Sequence, residues 1–328
     1  LFLAAIFWYF CAQVLAADAA SIIEFRFYLG CALPLVQAIL LLVFLVCGLA
    51  LLRAIEHRRA PLRLTLGLPR RTTSRAEWAT GAAIGWGLAV AAVLPMAIAR
   101  TLNVQLWTDS HAYLLLALSL LTLGIATLAH ALAIYGYGFQ RLIEATGPVR
   151  ATLILIALTA VHAAYTATPY GTPDGTRILV AMLMTLLLSL CWLRTHGLWL
   201  LWGLSFAWAA ATAVLFGLPL SGDNSFSTIV DTRAYGPAWL TGGAYGPAAA
   251  VLSIFFLLAA IPILIRATSD YAWSYTHPPL VPGGRDVTIA PRAAHVAMEQ
   301  AAESAQPATL VQILPATPQS SGVRTPTE

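Results

Sequence analysis

Acidic residues are missing from every apolar run that makes up most of this chain, and those runs hold only two deeply placed histidines, His130 and His162. Metal-dependent chemistry inside a membrane needs buried carboxylates or several imidazoles, so the deficit narrows what the protein can do. Lysine is absent altogether: all 18 basic residues are arginine. The four cysteines, Cys11, Cys31, Cys47 and Cys191, lie within apolar runs and form no CxxC pair, which argues against a disulfide framework or a thiolate metal site. They read as small apolar core residues. No soluble catalytic domain and no internal repeat is visible.

What is present is hydrocarbon. With 59% hydrophobic and 10% charged residues and a mean hydropathy of +0.77, the chain is far more apolar than a soluble domain, in which about 25% of residues are charged. Crossing the roughly 30 Å hydrocarbon layer takes about 20 helical residues. Eight runs approach or exceed that length, namely 1–17, 28–52, 78–99, 112–134, 151–167, 178–193, 197–218 and 246–265. Only helices and closed barrels satisfy backbone groups in lipid, and the ten-residue alternation of a barrel strand is lacking. The expected fold class is therefore all-α, a polytopic bundle of about eight transmembrane helices.

Arginine placement sets the orientation. Arg53, Arg58, Arg59, Arg63, Arg70, Arg71 and Arg75 crowd the second loop, while Arg26, Arg100, Arg177 and Arg233 supply one charge to each loop on the other side. The crowded loop is expected to be cytoplasmic, which puts both termini inside; the location expected is the cell's inner (plasma) membrane. The net charge of +4 then reports topology; a nucleic-acid partner is not expected. Within the crowded loop, Leu62 to Arg71 could lie on an anionic leaflet. Residues Val14 to Ala16 loosely match a small-residue cleavage site, but no basic stretch precedes them, so a retained first helix is expected. From about Ala267 the composition turns to Pro, Ser, Thr, Ala and Gln, including PPLVPGG at Pro278 to Gly284, and a disordered cytoplasmic tail is expected there. Ala293 to Ser304 is at most one weak helical stretch. The organisation expected is 1–77 for two helices and the arginine-rich loop, 78–266 for a membrane core, and 267–328 for the tail.

Three blocks in the core occur in a telling order: YGYGFQRL (Tyr135 to Leu142), LTAVHAAYTA (Leu158 to Ala167), and the long apolar stretch from Leu193 to Gly222 that contains GLSFAWAAA. GPAWLTGGAYGP (Gly236 to Pro247) follows. Together they resemble the CPBP family, the intramembrane metalloproteases that include type II CAAX prenyl endopeptidases, Abi proteins and lysostaphin-resistance proteins, over roughly Trp78 to Ile265. The resemblance implies a CAAX-protease-like helical bundle. It also implies a site built from EExxxR, FxxxH and HxxxN, in which glutamate activates water and the histidines and asparagine complete a metal-assisted peptide hydrolysis. Residues four apart share a helix face, so each motif aims its groups into one cavity.

Laid on those motifs, this chain carries His130 and Ala131 at the paired-glutamate positions and Tyr135 at the arginine. Leu158 replaces the phenylalanine, His162 is kept, Ser205 stands at the histidine of the third motif and Ala209 at its asparagine. Departures fall on the chemical positions, while Gly203, Trp208, Gly217, Pro219 and Gly222 still match. A catalytic zinc normally takes three protein ligands and leaves one position open. Here His162 with His130 is the only conceivable metal pair. Asp18, Glu24, Asp109, Glu144, Asp174, Asp223 and Asp231 are expected at span ends or in loops.

The expectation is a family homologue with no catalytic residue of the usual kind and no cofactor. It would act as a membrane binding or scaffold factor for a membrane protein or peptide within the lipid bilayer. Its histidines would be neutral and hydrogen-bonded to neighbouring helices through Tyr135 or Thr159. The alternative is an active CAAX-type metallo-endopeptidase using zinc or another divalent metal at a non-standard site. A Ser205–His162 nucleophile pair is weaker, because Ala207 stands where GxSxG needs glycine. A transporter is disfavoured by the lack of paired charges and inverted repeats. Trp192, Trp199, Trp202, Phe206 and Trp208 could line a cavity, though an aromatic belt is the better reading for Trp192 and Trp199.

Overall fold

A computed structural model describes residues 1–56, 61–107, 110–166, 168 and 172–269. The chain divides into a unit of Leu1–Trp273 and a second of Ser274–Glu328. The second unit, with the expected tail beyond residue 269 and its weak helical stretch, lies outside the described residues, as do Arg58, Arg59 and Asp109.

The described structure is mostly helical, with one two-stranded sheet. In chain order the elements are α1 (Phe2–Phe27), α2 (Leu33–Ile55), α3 (Leu62–Thr65), α4 (Ser74–Ile98), β1 (Leu102–Leu106) and α5 (Ser110–Ala131). A π-helical segment, Leu132–Phe139, joins α5 to α6 (Gln140–Thr146); then come α7 (Pro148–Tyr165), α8 (Asp174–Thr195) and α9 (Trp199–Ala210), which a second π segment extends to Leu215. β2 (Val230–Ala234), α10 (Ala238–Thr241) and α11 (Val251–Ala267) complete it. Among the described residues six helices are long and apolar enough to cross a membrane: Phe2–Phe27, Gly30–Ile55, Ser74–Ile98, His111–Thr146, Pro148–Tyr165 and Asp174–Thr195. Two shorter apolar helices, Trp199–Leu215 and Val251–Ala267, coincide with the last two apolar runs.

Several boundaries differ from the sequence reading: the fourth helix, expected to end at Ile134, runs on to Thr146, and α4 and α8 each begin four residues early, at Ser74 and Asp174. The first helix does not stop with its apolar run at Ala17; it continues to Phe27 and ends only where Tyr28 turns left-handed (φ 51°), its N–H bonded to the Glu24 carbonyl at 2.8 Å. Asp18 and Glu24 are thus helical residues, since Ala19, Ala20, Ile22 and Ile23 keep the helix going after hydropathy falls. At the other end the last helix starts at Val251, later than Gly246, because Gly246 (φ 90°) and Pro247 hold a short 3-10 turn before it.

Packing follows small residues, as expected where lipid gives no hydrophobic drive between helices. Gly48 on α2 makes room for the Trp8 indole of α1, whose Nε1 donates to the Phe44 carbonyl at 3.1 Å. Gly81 and Gly85 on α4 and Gly203 on α9 bring those two helices into backbone contact. Tyr135, Tyr137 and Phe139 of the π segment are fully buried beside Leu45, Leu187, Leu198 and Leu201. Large apolar side chains such as Phe7, Leu94, Ile98 and Leu153 point outward, the surface a bilayer would cover. β1 pairs antiparallel with β2 in the register Leu102↔Ala234 to Leu106↔Val230, tying the end of α4 to the chain beyond α9.

Candidate functional site

His130 sits in the last turn of α5, immediately before the π segment, and Ala131 next to it points the opposite way into the core, fully buried. The His130 ring meets the Tyr135 ring edge-on, with centroids 6.4 Å apart, and the Tyr9 ring of α1 at 6.2 Å. His162, in the last turn of α7, leans on Phe10 of α1 at 6.3 Å. Consecutive aromatics of α1 thus lie against one histidine from α5 and one from α7. Both imidazoles are on the exposed flank of the bundle. The hydrogen bonds expected for them take another course: the Thr159 hydroxyl donates to the Leu155 carbonyl (3.0 Å) and accepts from Thr185 (3.1 Å), and Tyr135 meets His130 through ring edges.

The α9 positions belong elsewhere. The Ser205 hydroxyl donates to the Trp202 carbonyl of its own helix at 3.1 Å, a local bond common for helical serine. Ala209, 5% exposed, packs with Leu123, Ala213 and Val214 in a cluster separate from the main core that contains Ala131 and Tyr135. The motif positions therefore fall into two groups, His130 with Tyr135 and His162, and Ser205 with Ala209.

Zinc chemistry can be tested on the donors. Among the described residues no three or more of His, Cys, Asp and Glu gather as a metal site, and the histidine pair has aromatic rings where a third ligand and a water-activating carboxylate would be required. His130 and His162 by themselves are fewer than the three protein ligands a catalytic zinc normally takes.

Two polar assemblies escaped the sequence reading. Glu77, wholly buried at the start of α4, accepts from the Thr73 hydroxyl (2.8 Å) and from Arg71 Nη1 (3.4 Å); Arg71 also donates to the carbonyls of Thr195 (2.6 Å) and His196 (3.2 Å). One guanidinium thus ties the arginine-rich loop to the α8–α9 turn, helped by Leu198 N donating to the Gly67 carbonyl at 2.8 Å. Burial draws the Arg71 pKa down while Glu77 draws it up, and burial first, then the Arg71 charge, holds His196 below its ordinary value. In the second assembly Arg141, 5% exposed, lies 3.3 Å from Glu56 and 2.6 Å from Glu144 and covers the Tyr137 ring at 5.1 Å. The available signal was Glu56 and Glu77, which flank the second and third apolar runs inside an arginine-rich neighbourhood. Only tertiary structure shows that these two carboxylates are buried while Glu144 stays exposed.

Comparison with protein-family models, with curated proteins and with solved structures finds no match.

Proposed function

We propose that this chain is a non-hydrolytic membrane factor with the CPBP-type bundle, holding a peptide or transmembrane segment of another protein. Its arginine-rich loop and both termini face the cytoplasm of a bacterial-type cell. The observation that carries this reading is the packing at the substituted positions. Ala131 is fully buried, Tyr135 is 2% exposed and Ala209 is 5% exposed, so the places that would have to admit water and a scissile carbonyl are filled by hydrocarbon and a phenol ring. Hydrolysis needs a general base within hydrogen-bond reach of an attacking water. The ring contacts of His130 and His162 are with Tyr9, Phe10 and Tyr135, and these supply no carboxylate to work with an imidazole on an attacking water.

The test uses the full chain purified into lipid nanodiscs. Elemental analysis is expected to find well under one zinc per chain, and prenylated CAAX-type peptides and transmembrane peptides are expected to stay intact. About one zinc per chain, lost in His162→Ala, or hydrolysis by the unaltered protein, would replace this reading with the metallo-endopeptidase one. The resemblance has its own test in a combined variant, His130→Glu, Ala131→Glu, Tyr135→Arg, Ser205→His and Ala209→Asn, where gained cleavage supports the motif alignment.

A further inference from the structure

The loop before α4 and the first turns of α4 and α9 enclose a cavity of about 1010 Å³. Arg63, Arg70, Arg71 and Arg75 stand on its polar side, and Trp78, Trp199 and Trp202 form its inner wall. Arg71 is engaged by Glu77 and two carbonyls. Arg63, Arg70 and Arg75 are exposed and make no ion pair among the described residues. Three cations held around one cavity without a counter-charge repel one another, and a bound anion relieves that repulsion.

The inner wall supplies a donor as well. Trp199 and Trp202 give their indole N–H groups to the carbonyls of Pro69 and Gly124, each at 3.0 Å. The Trp78 Nε1 is buried with no partner. Such a donor is available to a ligand oxygen or a water that reaches it.

Beyond the tryptophans the surface turns wholly apolar. Trp78 meets Trp202 edge-on at 6.0 Å and Phe206 at 6.1 Å. Phe206 also lines a second cavity, of about 510 Å³, whose other walls include Trp86, Leu116, Leu120, Ala210 and Val214. Trp78 and Trp86 are eight residues apart on α4, about 12 Å along the axis. Phe206, against Trp78 of the cationic chamber, thus stands between that chamber and an apolar groove lined by α4, α5 and α9, within the helical span a bilayer would cover.

We infer that this paired cavity is a binding site for an anionic glycerophospholipid. The phosphate would lie against Arg63, Arg70 and Arg75, and one acyl chain would pass Phe206 into the groove. Charge complementarity favours the anionic headgroup, and the length of the groove favours a lipid over a free phosphate. The inference is independent of whether the chain hydrolyses peptides.

Native mass spectrometry of the detergent-purified full chain, titrated with dioleoyl-phosphatidylglycerol or dioleoyl-phosphatidylcholine, tests it. The anionic lipid is expected to bind at least about tenfold tighter. A juxtamembrane arginine is worth about fivefold in affinity for an anionic membrane, so the triple variant Arg63→Gln/Arg70→Gln/Arg75→Gln should lose about a hundredfold. Ala210→Phe, which fills the groove, should weaken phosphatidylglycerol binding and leave the affinity for inorganic phosphate unchanged. If Ala210→Phe lowers the unfolding temperature, Leu116→Trp on the facing helix is read in its place. Equal binding of the two lipids, an unaffected triple variant, or inorganic phosphate displacing the lipid at equal concentration would overturn the proposal.

Discussion

The contact between α4 and α9 can be broken by a single methyl group, and its neighbour on α4 supplies the control. A Cβ built at Gly81 overlaps the Leu200 carbonyl oxygen and lies 2.9 Å from the carbonyl carbon; one at Gly85 overlaps the Leu204 carbonyl oxygen and lies 3.0 Å from its carbon. Carbon atoms rest about 3.5–4.0 Å apart, so alanine at either site forces the helices apart by about 0.5–1 Å. A gap of that size forfeits about a quarter to a half of each van der Waals well it opens. Neither obstacle is a flexible side chain, so relaxation must come from the backbone. Overpacking of this kind costs about 1–3 kcal/mol, and we expect about 2 kcal/mol for Gly81→Ala or Gly85→Ala. The pair should be less than additive, because the first substitution already opens the gap the second needs. Gly87, two residues along the same helix, would meet nothing within 4 Å. Gly87→Ala should be neutral or stabilising by up to about 1 kcal/mol through helix propensity alone. The assay is reversible unfolding of the purified protein in mixed micelles of increasing sodium dodecyl sulfate, followed by tryptophan fluorescence. Equal destabilisation by Gly85→Ala and Gly87→Ala would refute the steric reasoning.

Other perturbations follow from the buried charges. Arg141→Ala removes a guanidinium 3.3 Å from Glu56 and 2.6 Å from Glu144, and the loss of hydrogen bonding between charged groups should cost about 1.5–3 kcal/mol; the double variant Arg141→Met/Glu56→Gln should recover part of that loss in the same unfolding assay. His196 has a folded pKa held below the ordinary value of about 6.5, so between the two values the unfolded chain binds more protons than the folded one. Its contribution to stability is therefore complete above about pH 6.5 and declines as the pH falls through the lower, folded value. Because His196 adopts left-handed φ 45°, ψ 40°, asparagine can replace it with little strain. His196→Asn is expected to flatten the pH profile of thermal unfolding between pH 5 and 7, and an unchanged slope would assign the dependence to other groups.

Length and hydropathy located the apolar helices because a bilayer imposes both quantities on the sequence directly. They located helix ends less well. In α1 an apolar run reports lipid contact, whereas the helix persists through Asp18 and Glu24 for as long as backbone bonds and helix-forming residues allow. The β1–β2 pair was invisible because its strands stand more than a hundred residues apart and only Leu102 to Leu106 beside Val230 to Ala234 makes either a strand. The histidines of the second-motif block and of the end of α5 could be singled out locally, each as an ionisable group within an apolar run. That aromatics of α1 lie over both depends on a helix that none of the motif blocks includes. Gly81 and Gly85 form a small-xxx-small pair that sequence displays openly, but sequence does not say which helix fills it. Gly203 on α9 gives the answer only in three dimensions.

The arginines then separate by physical situation. Arg71 and Arg141, each nearly buried, have carboxylates within 3.4 Å and 3.3 Å. A buried cation requires such a partner, and removing either member of the pair is what destabilises. Arg63, Arg70 and Arg75 carry no such requirement because they are exposed, so their grouping around one cavity is not dictated by stability of the bundle. The tryptophan beneath them is positioned by packing that is. A Cβ at Gly203 would overlap the Trp78 carbonyl oxygen, so the close approach of α4 and α9 fixes how deep the Trp78 ring sits between the cationic chamber and Phe206. The same glycine contact that holds the two helices together therefore sets the dimensions of the proposed lipid site. Its stability and its ligand affinity are coupled through one interface.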